Sequence, residues 1–244
     1  MKIYISPSNQ TSNRYATGGT NEAVQCQAIG ELAGEMLREE YEDVEVYVAP
    51  INKPALERGD QANYEHYDCM ICLHTNASGS ANPGKANGTL GIYYKGDYKT
   101  LTLSDEEILD NKGFAEILVE KVSELTGKDL GLRTSQQTEL VFCRCTGALV
   151  EMEFHDNEYG SNYIQSHHDQ LAEAIVKATA EYFGLKRKEK QGELGENEFY
   201  CIQCGAYKNK ENAERQLQRL RDAGFSSYII IKDVEDKTYR DYYA

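Results

Sequence analysis

Apolar and polar positions along this chain follow two rhythms in turn. Lys2-Ile3-Tyr4-Ile5 opens with strand-like residues and runs into a polar loop over residues 6–14. Gly18-Gly19 marks a turn and Thr20 or Asn21 offers a helix cap. Val24, Ile29, Leu32, Ala33, Met36 and Leu37 then recur near the 3.6-residue period of a helix. Residues 44–48 alternate as a strand does, 54–64 predict a helix, and 67–73 and 89–94 predict strands around a Gly/Asn/Pro-rich loop at 78–88. A helix is expected over 111–126. Leu140-Val141-Phe142 and Ala148-Leu149-Val150-Glu151-Met152 read as two further strands, and a helix over 161–183 closes the pattern.

Strands interleaved with helices predict an α/β fold over residues 1–185: a mostly parallel, twisted sheet flanked by helices. In such sheets functional groups gather at the carboxyl ends of the strands. Residues 186–197 shift to Lys, Glu and Gly, the composition of a solvated tether, and the basic run Lys186-Arg187-Lys188-Glu189-Lys190 falls inside it. Residues 198–244 then predict a small α+β module. It has a strand at 199–204, a helix at 210–223 opened by Asn209, a turn at Ala223-Gly224, a strand at 226–234 and a third strand in 238–243.

The 244 residues suffice for one medium domain plus an appendage. A net charge of −14 argues against nucleic-acid binding, which needs clustered Lys and Arg. No stretch is apolar and long enough to span a bilayer. The N-terminus shows no charged region followed by an apolar run, so no signal peptide is expected, and the protein is expected to stay in the cytoplasm until lysis or release. Seven cysteines, an odd number, fit a reducing compartment. Cys69 and Cys72, like Cys201 and Cys204, have CxxC spacing inside strand-like runs, where residues three apart face opposite ways. Buried small hydrophobes suit them better than a zinc knuckle. Cys143 and Cys145 share a face, but two thiols alone make no zinc site; all seven read as structural.

Four positions carry candidate chemistry: Asn9 after the first strand, Glu22 opening the first helix, His74 just past an apolar strand, and Glu151 in a late strand. Hydrolysing an amide at neutral pH needs a strong nucleophile and a group that manages protons. A zinc ion on three protein ligands supplies the first and a carboxylate the second. Singly, each residue also suits a plainer role: a dipole-complementing Glu at a helix start, or a hydrogen-bonded loop His. Glu153 shares the alternation of Glu151 and is its rival. His66, His167 and His168 read as surface residues.

Ser6-Pro7-Ser8-Asn9, Asn21-Glu22-Ala23, His74-Thr75-Asn76-Ala77, the strand Gly88–Tyr94, and Leu149-Val150-Glu151 with Phe154 and Asn157 resemble, in order and spacing, the zinc-dependent N-acetylmuramoyl-L-alanine amidases of the amidase-3 type. The resemblance covers residues 1–184. It implies hydrolysis of the amide between the lactyl group of N-acetylmuramic acid and L-alanine in peptidoglycan, with Glu22 and His74 holding Zn2+, Glu151 as general base and acid, and Asn76 near substrate. It departs at one position: the family's first zinc histidine falls on Asn9. His155, on the face of Glu151 if the strand alternation continues, is the expected third ligand, with Asn9 as its rival.

Tyr200-Cys201-Ile202-Gln203-Cys204-Gly205-Ala206-Tyr207, Asn212-Ala213-Glu214, Leu220 and Gly224-Phe225 resemble a SPOR domain, a module that binds glycan strands lacking stem peptides. Gln203 and Tyr207 are the expected sugar contacts. The tail is shorter than the family's usual module, so a truncated unit or a half-module that pairs in a homodimer are alternatives. The function expected is a cell-wall lytic amidase of sporulation or phage type. The alternative is a degenerate peptidoglycan-binding protein, which Asn9 favours.

Overall fold

The structure is a computed structural model that describes residues 1–79, 84–97, 102–188, 205, 207–224, 227, 229–232 and 239–242. The chain divides into two compact units, Met1–Lys190 and Gln191–Ala244.

Six strands of the first unit form one sheet: β1 (Lys2–Pro7), β2 (Glu45–Val48), β3 (Cys69–Asn76), β4 (Thr89–Tyr93), β5 (Asp129–Thr134) and β6 (Thr146–Phe154), in the order β2-β1-β3-β6-β4-β5. Neighbours run parallel except β4 and β6, which pair antiparallel, so the mostly parallel sheet is a mixed one. The helices are α1 (Glu22–Glu40), α2 (Ala55–Tyr64), α3 (Asp105–Thr126), α4 (Thr138–Val141), α5 (Glu158–Ser166) and α6 (His168–Phe183).

Both faces of the sheet are covered, which is why β3 reads as a continuous apolar run. Ile71 and Leu73 pack with Ile29, Phe114, Leu118 and Ile175 of α1, α3 and α6. Met70 and Cys72 face the other way, toward Tyr4, Ala62, Leu140 and Leu149. Cys69 and Cys72 fall into opposite clusters, as their spacing predicts.

The caps fix where the helices begin. Asn21 accepts a hydrogen bond from the Val24 amide and starts α1 at Glu22. Ser104 and Glu107 form a reciprocal capping box that starts α3 at Asp105, ahead of the expected 111.

Four expectations change. Leu140-Val141-Phe142 is not a strand: Leu140 and Val141 belong to the single helical turn α4, since so short an apolar run does not set its own period. The helix expected over 161–183 is two, α5 and α6, meeting at His167. Strand β5 was not foreseen; it is a half-exposed edge with only Leu130 and Leu132 to mark it. Lys186, Arg187 and Lys188 are not tether. Lys186 pairs with Glu42 at 2.8 Å, Arg187 pairs with Glu40, and the Lys188 amide donates to the Glu40 carbonyl, all onto the end of α1.

The second unit contains α7 (Lys210–Asp222), capped by Asn209, and an antiparallel pair, β7 (Ile229–Lys232) with β8 (Tyr239–Tyr242). The strand expected over 199–204, with Cys201, Gln203 and Cys204, lies outside the described residues.

Candidate active site

The carboxyl ends of β1, β3 and β6 lie side by side, and three segments bring acidic and basic groups to them. Parallel pairing sets His74 directly against Glu151 in register. The cap at Asn21 places Glu22 in the first turn of α1, where it is only 1% exposed. Its Oε1 is 3.0 Å from His74 Nδ1, and its Oε2 accepts from Asn13 Nδ2 at 2.6 Å.

The third segment is α4. Glu139, buried in that single turn, places Oε2 3.5 Å from His74 Nε2, an ion-pair separation longer than a good hydrogen bond. Its Oε1 accepts from Ser6 Oγ at 2.7 Å and pairs with Arg58 Nη1 at 3.4 Å. Arg58 is fully buried and also donates to the carbonyls of Pro7, Pro50 and Lys53, so its guanidinium is anchored by backbone as well as by charge. A line of alternating charge results: Arg58, Glu139, His74, Glu22.

These neighbours decide where the protons sit. Burial alone would lower His74, but Glu139 and Glu22 on its two nitrogens push it up to about 10. Burial would raise Glu22, yet hydrogen bonds from His74, Asn13 and Ser8 outweigh it and leave the carboxyl below the usual range. Glu139 is likewise raised by burial and lowered further by His74, Ser6 and Arg58. Glu151 is the exception. Burial pushes it up to about 7, His74 opposing and Glu22 reinforcing the shift, and its buried Oε2 has no hydrogen-bond partner among the described residues. A carboxyl that exchanges its proton near neutrality, beside a cation, is equipped for general acid–base chemistry.

Of the sequence-derived candidates, Glu22, His74 and Glu151 converge. His155 does not join them. Strand β6 ends at Phe154 and the β3–β6 register shifts between His74 and Asn76, so the alternation that was to align His155 with Glu151 stops one residue short. Its Nδ1 lies 3.0 Å from Thr75 Oγ1, and its ring stacks on Tyr15 at 5.2 Å. Asn9 is turned aside, donating to the Lys53 carbonyl at 3.2 Å. Gln10 approaches instead, with Nε2 3.3 Å from His74 Nδ1. Glu153, the rival of Glu151, is spent on structure: it accepts the amides of Gly88 and Phe154 and so fixes the loop before β4. Asn76 accepts the Ala77 amide at 2.8 Å. Tyr207, in the second unit, is exposed.

Glu139, Arg58, Ser6 and Gln10 were not found by sequence reasoning. The available signal was a Glu leading an apolar run, Glu139-Leu140-Val141-Phe142; reading that run as a strand detached its carboxylate from the carboxyl ends of the sheet.

The zinc ion implied by the resemblance needs a third protein ligand beside Glu22 and His74. Glu139 stands at the other nitrogen of the same ring, His155 and Asn9 are engaged elsewhere, and among the described residues no three His, Cys, Asp or Glu are placed to hold one metal ion. The expected three-ligand shell does not fit the residues as they stand.

Residues 3–181 match the family model described as N-acetylmuramoyl-L-alanine amidase, and residues 196–243 match the SPOR domain. A sporulation-specific N-acetylmuramoyl-L-alanine amidase of Bacillus subtilis (strain 168) is 23% identical over 239 residues, covering 96% of this chain and 86% of that protein. Among solved structures, an N-acetylmuramoyl-L-alanine amidase from Clostridium difficile 630 superposes with a TM-score of 0.64 at 20% identity, covering 78% of this chain and 98% of its own. The catalytic domain of CwlV, from Bacillus (Paenibacillus) polymyxa var. colistinus, gives 0.63 at 18% identity, covering 76% and 100%. At these identities the structural likeness establishes the fold.

Proposed function

Since the chain belongs to the N-acetylmuramoyl-L-alanine amidase family, we propose that it cleaves the amide between the lactyl group of muramic acid and L-alanine of the stem peptide, with Glu151 moving the proton. The observation that carries the assignment of roles is Glu151 itself: a buried carboxyl held near neutrality, with an oxygen unpartnered among the described residues, in register with His74.

Glu151 Oε2 accepts a proton from the attacking water as the oxygen adds to the lactyl carbonyl carbon. It returns that proton to the alanine nitrogen as the C–N bond breaks, giving a free lactyl carboxyl and a free peptide amine. His74, kept cationic by Glu22 and Glu139, favours negative charge developing on the carbonyl oxygen. Zinc dependence rests on the family resemblance alone, since a His74 held cationic by its two carboxylates has no free nitrogen to offer a metal ion. The second unit tethers the enzyme to glycan strands, with Gln203 and Tyr207 as sugar contacts, and can pair with a second copy. The sporulation-specific relative supports a role in sporulation.

Purified peptidoglycan tests the reaction. Free L-alanine amino termini and muramic acid with a free lactyl carboxyl are expected products, and Glu151→Gln should reduce their release by about 10²- to 10⁴-fold while wall binding persists. Cleavage within the stem peptide, with no free L-alanine termini, would refute the assignment. A second reading, a wall-binding relative without turnover, is favoured by the absent third ligand; it predicts sedimentation with peptidoglycan and no product.

A further inference from the structure

Cys143 and Cys145 take no part in the proton chemistry. They flank Arg144 in the short link between α4 and β6, and their sulfurs lie 2.8 Å apart, inside ordinary van der Waals contact. Cys143 is buried, and its Sγ also donates to the Cys145 carbonyl at 3.6 Å. Cys145 is partly exposed and borders a small surface pocket with Leu103, Glu107, Asn111, Arg144 and Thr146. Cys26, Cys69 and Cys72 are fully buried. The pair therefore sets a partly exposed cysteine with its sulfur already against a second one, the arrangement thiol–disulfide exchange needs.

We propose that Cys143 and Cys145 form a dithiol modification site that a low-molecular-weight disulfide converts to an intramolecular disulfide. The Cys145 thiolate attacks the oxidant, RSSR, releasing one RS⁻ and leaving a mixed disulfide. The Cys143 thiolate then attacks the Cys145 sulfur and releases the second RS⁻. Two protein S–H bonds are lost, one S–S bond forms, and the oxidant is reduced to two thiols as the RS⁻ groups take up the two protons. The Cys143 thiol and burial push the Cys145 thiol up, so exchange is slow at neutral pH and quickens as pH rises. The bond closes the link between the turn bearing Glu139 and the strand bearing Glu151.

The probe is oxidised glutathione applied to the full, pre-reduced chain, followed by iodoacetamide and trypsin. Trypsin cuts after Arg133, Arg144 and Lys177, separating the two cysteines. The expected result is peptide 134–144 joined to peptide 145–177 by one disulfide, with no linked species from Cys145→Ser. Recovery of the two peptides separately, alkylated as in the reduced control, would overturn the proposal, as would Cys143 joined to any other cysteine. A second measurement tests whether the fold builds the site. At a glutathione ratio that leaves the folded chain half linked, concentrated urea should lower the linking constant roughly tenfold. An equal constant in urea would reduce the pair to an ordinary Cys-x-Cys peptide and also overturn the proposal.

Discussion

Glu151 and His74 face one another across β6 and β3, and their opposite proton affinities follow from what surrounds each. His74 has a carboxylate at each nitrogen; Glu151 has mostly burial. The shift of Glu151 has a sign that stability can report. Its folded pKa of about 7 stands above the ordinary 4.5, so its contribution is whole below the lower value and is lost as pH rises through the upper one. Glu151→Gln lacks that loss. In chelator, the Tm of the variant relative to the parent should therefore climb between about pH 5 and about pH 8, and a constant gap in differential scanning fluorimetry would contradict the shift. Peptidoglycan turnover should rise with pH through about 7 as Glu151 becomes a base. Glu139→Gln is a different case, because it leaves the buried Arg58 without its carboxylate. The several backbone carbonyls around Arg58 limit the damage, so a loss of about 1–3 kcal/mol is expected by urea denaturation. His74 should titrate lower by NMR in that variant, and an unmoved titration would mean that Glu139 does not act on the ring.

The elements carry this arrangement through close approach as much as through caps. Gly59 of α2 sits against α4: a Cβ there would meet the Glu139 carbonyl oxygen and Phe142 Cβ, each at 2.9 Å. Gly59→Ala should push α4 away from the sheet and destabilise by about 1–3 kcal/mol, with loss of turnover exceeding the loss of folded protein because Glu139 moves. Unchanged stability and turnover would show that α4 is free to shift. This short turn also marks where sequence reading stopped. The Asn21 cap, the continuous apolar run of β3 and the late strand around Glu151 were legible because local period and capping chemistry specify them. They placed Glu22, His74 and Glu151 among the candidates, and the family resemblance selected them and set Glu151 above Glu153. Four residues of α4 have no period, β5 is a half-exposed edge, and the end of β6 at Phe154 depends on a register shift with β3. Those features come from tertiary packing. They account for the missed Glu139 and Arg58 and for the misplacement of His155.

At the scale of the whole molecule, the boundary between the two units is a question about Lys186, Arg187 and Lys188. Composition alone assigns them to a tether, but the first unit extends to Lys190 and holds them against the end of α1. The Lys188 amide donates to the Glu40 carbonyl and the Glu42 amide donates to the Lys186 carbonyl, so this segment supplies backbone partners as well as exposed charges. Exposed ion pairs contribute little singly, whereas backbone groups that lose their partners leave the end of α1 frayed. A chain ending at Lys190 should therefore unfold at the temperature of the full protein, because among the described residues the core clusters of the first unit reach no further than Leu185. A chain ending at Leu185 should unfold a few degrees lower, since a loss of about 1 kcal/mol moves Tm by roughly 2–4 °C in a unit of this size. Scanning calorimetry of the two fragments beside the parent decides it. Equal midpoints for both fragments would return residues 186–188 to the tether, and a lowered midpoint for the longer fragment would mean that the tail stabilises the first unit.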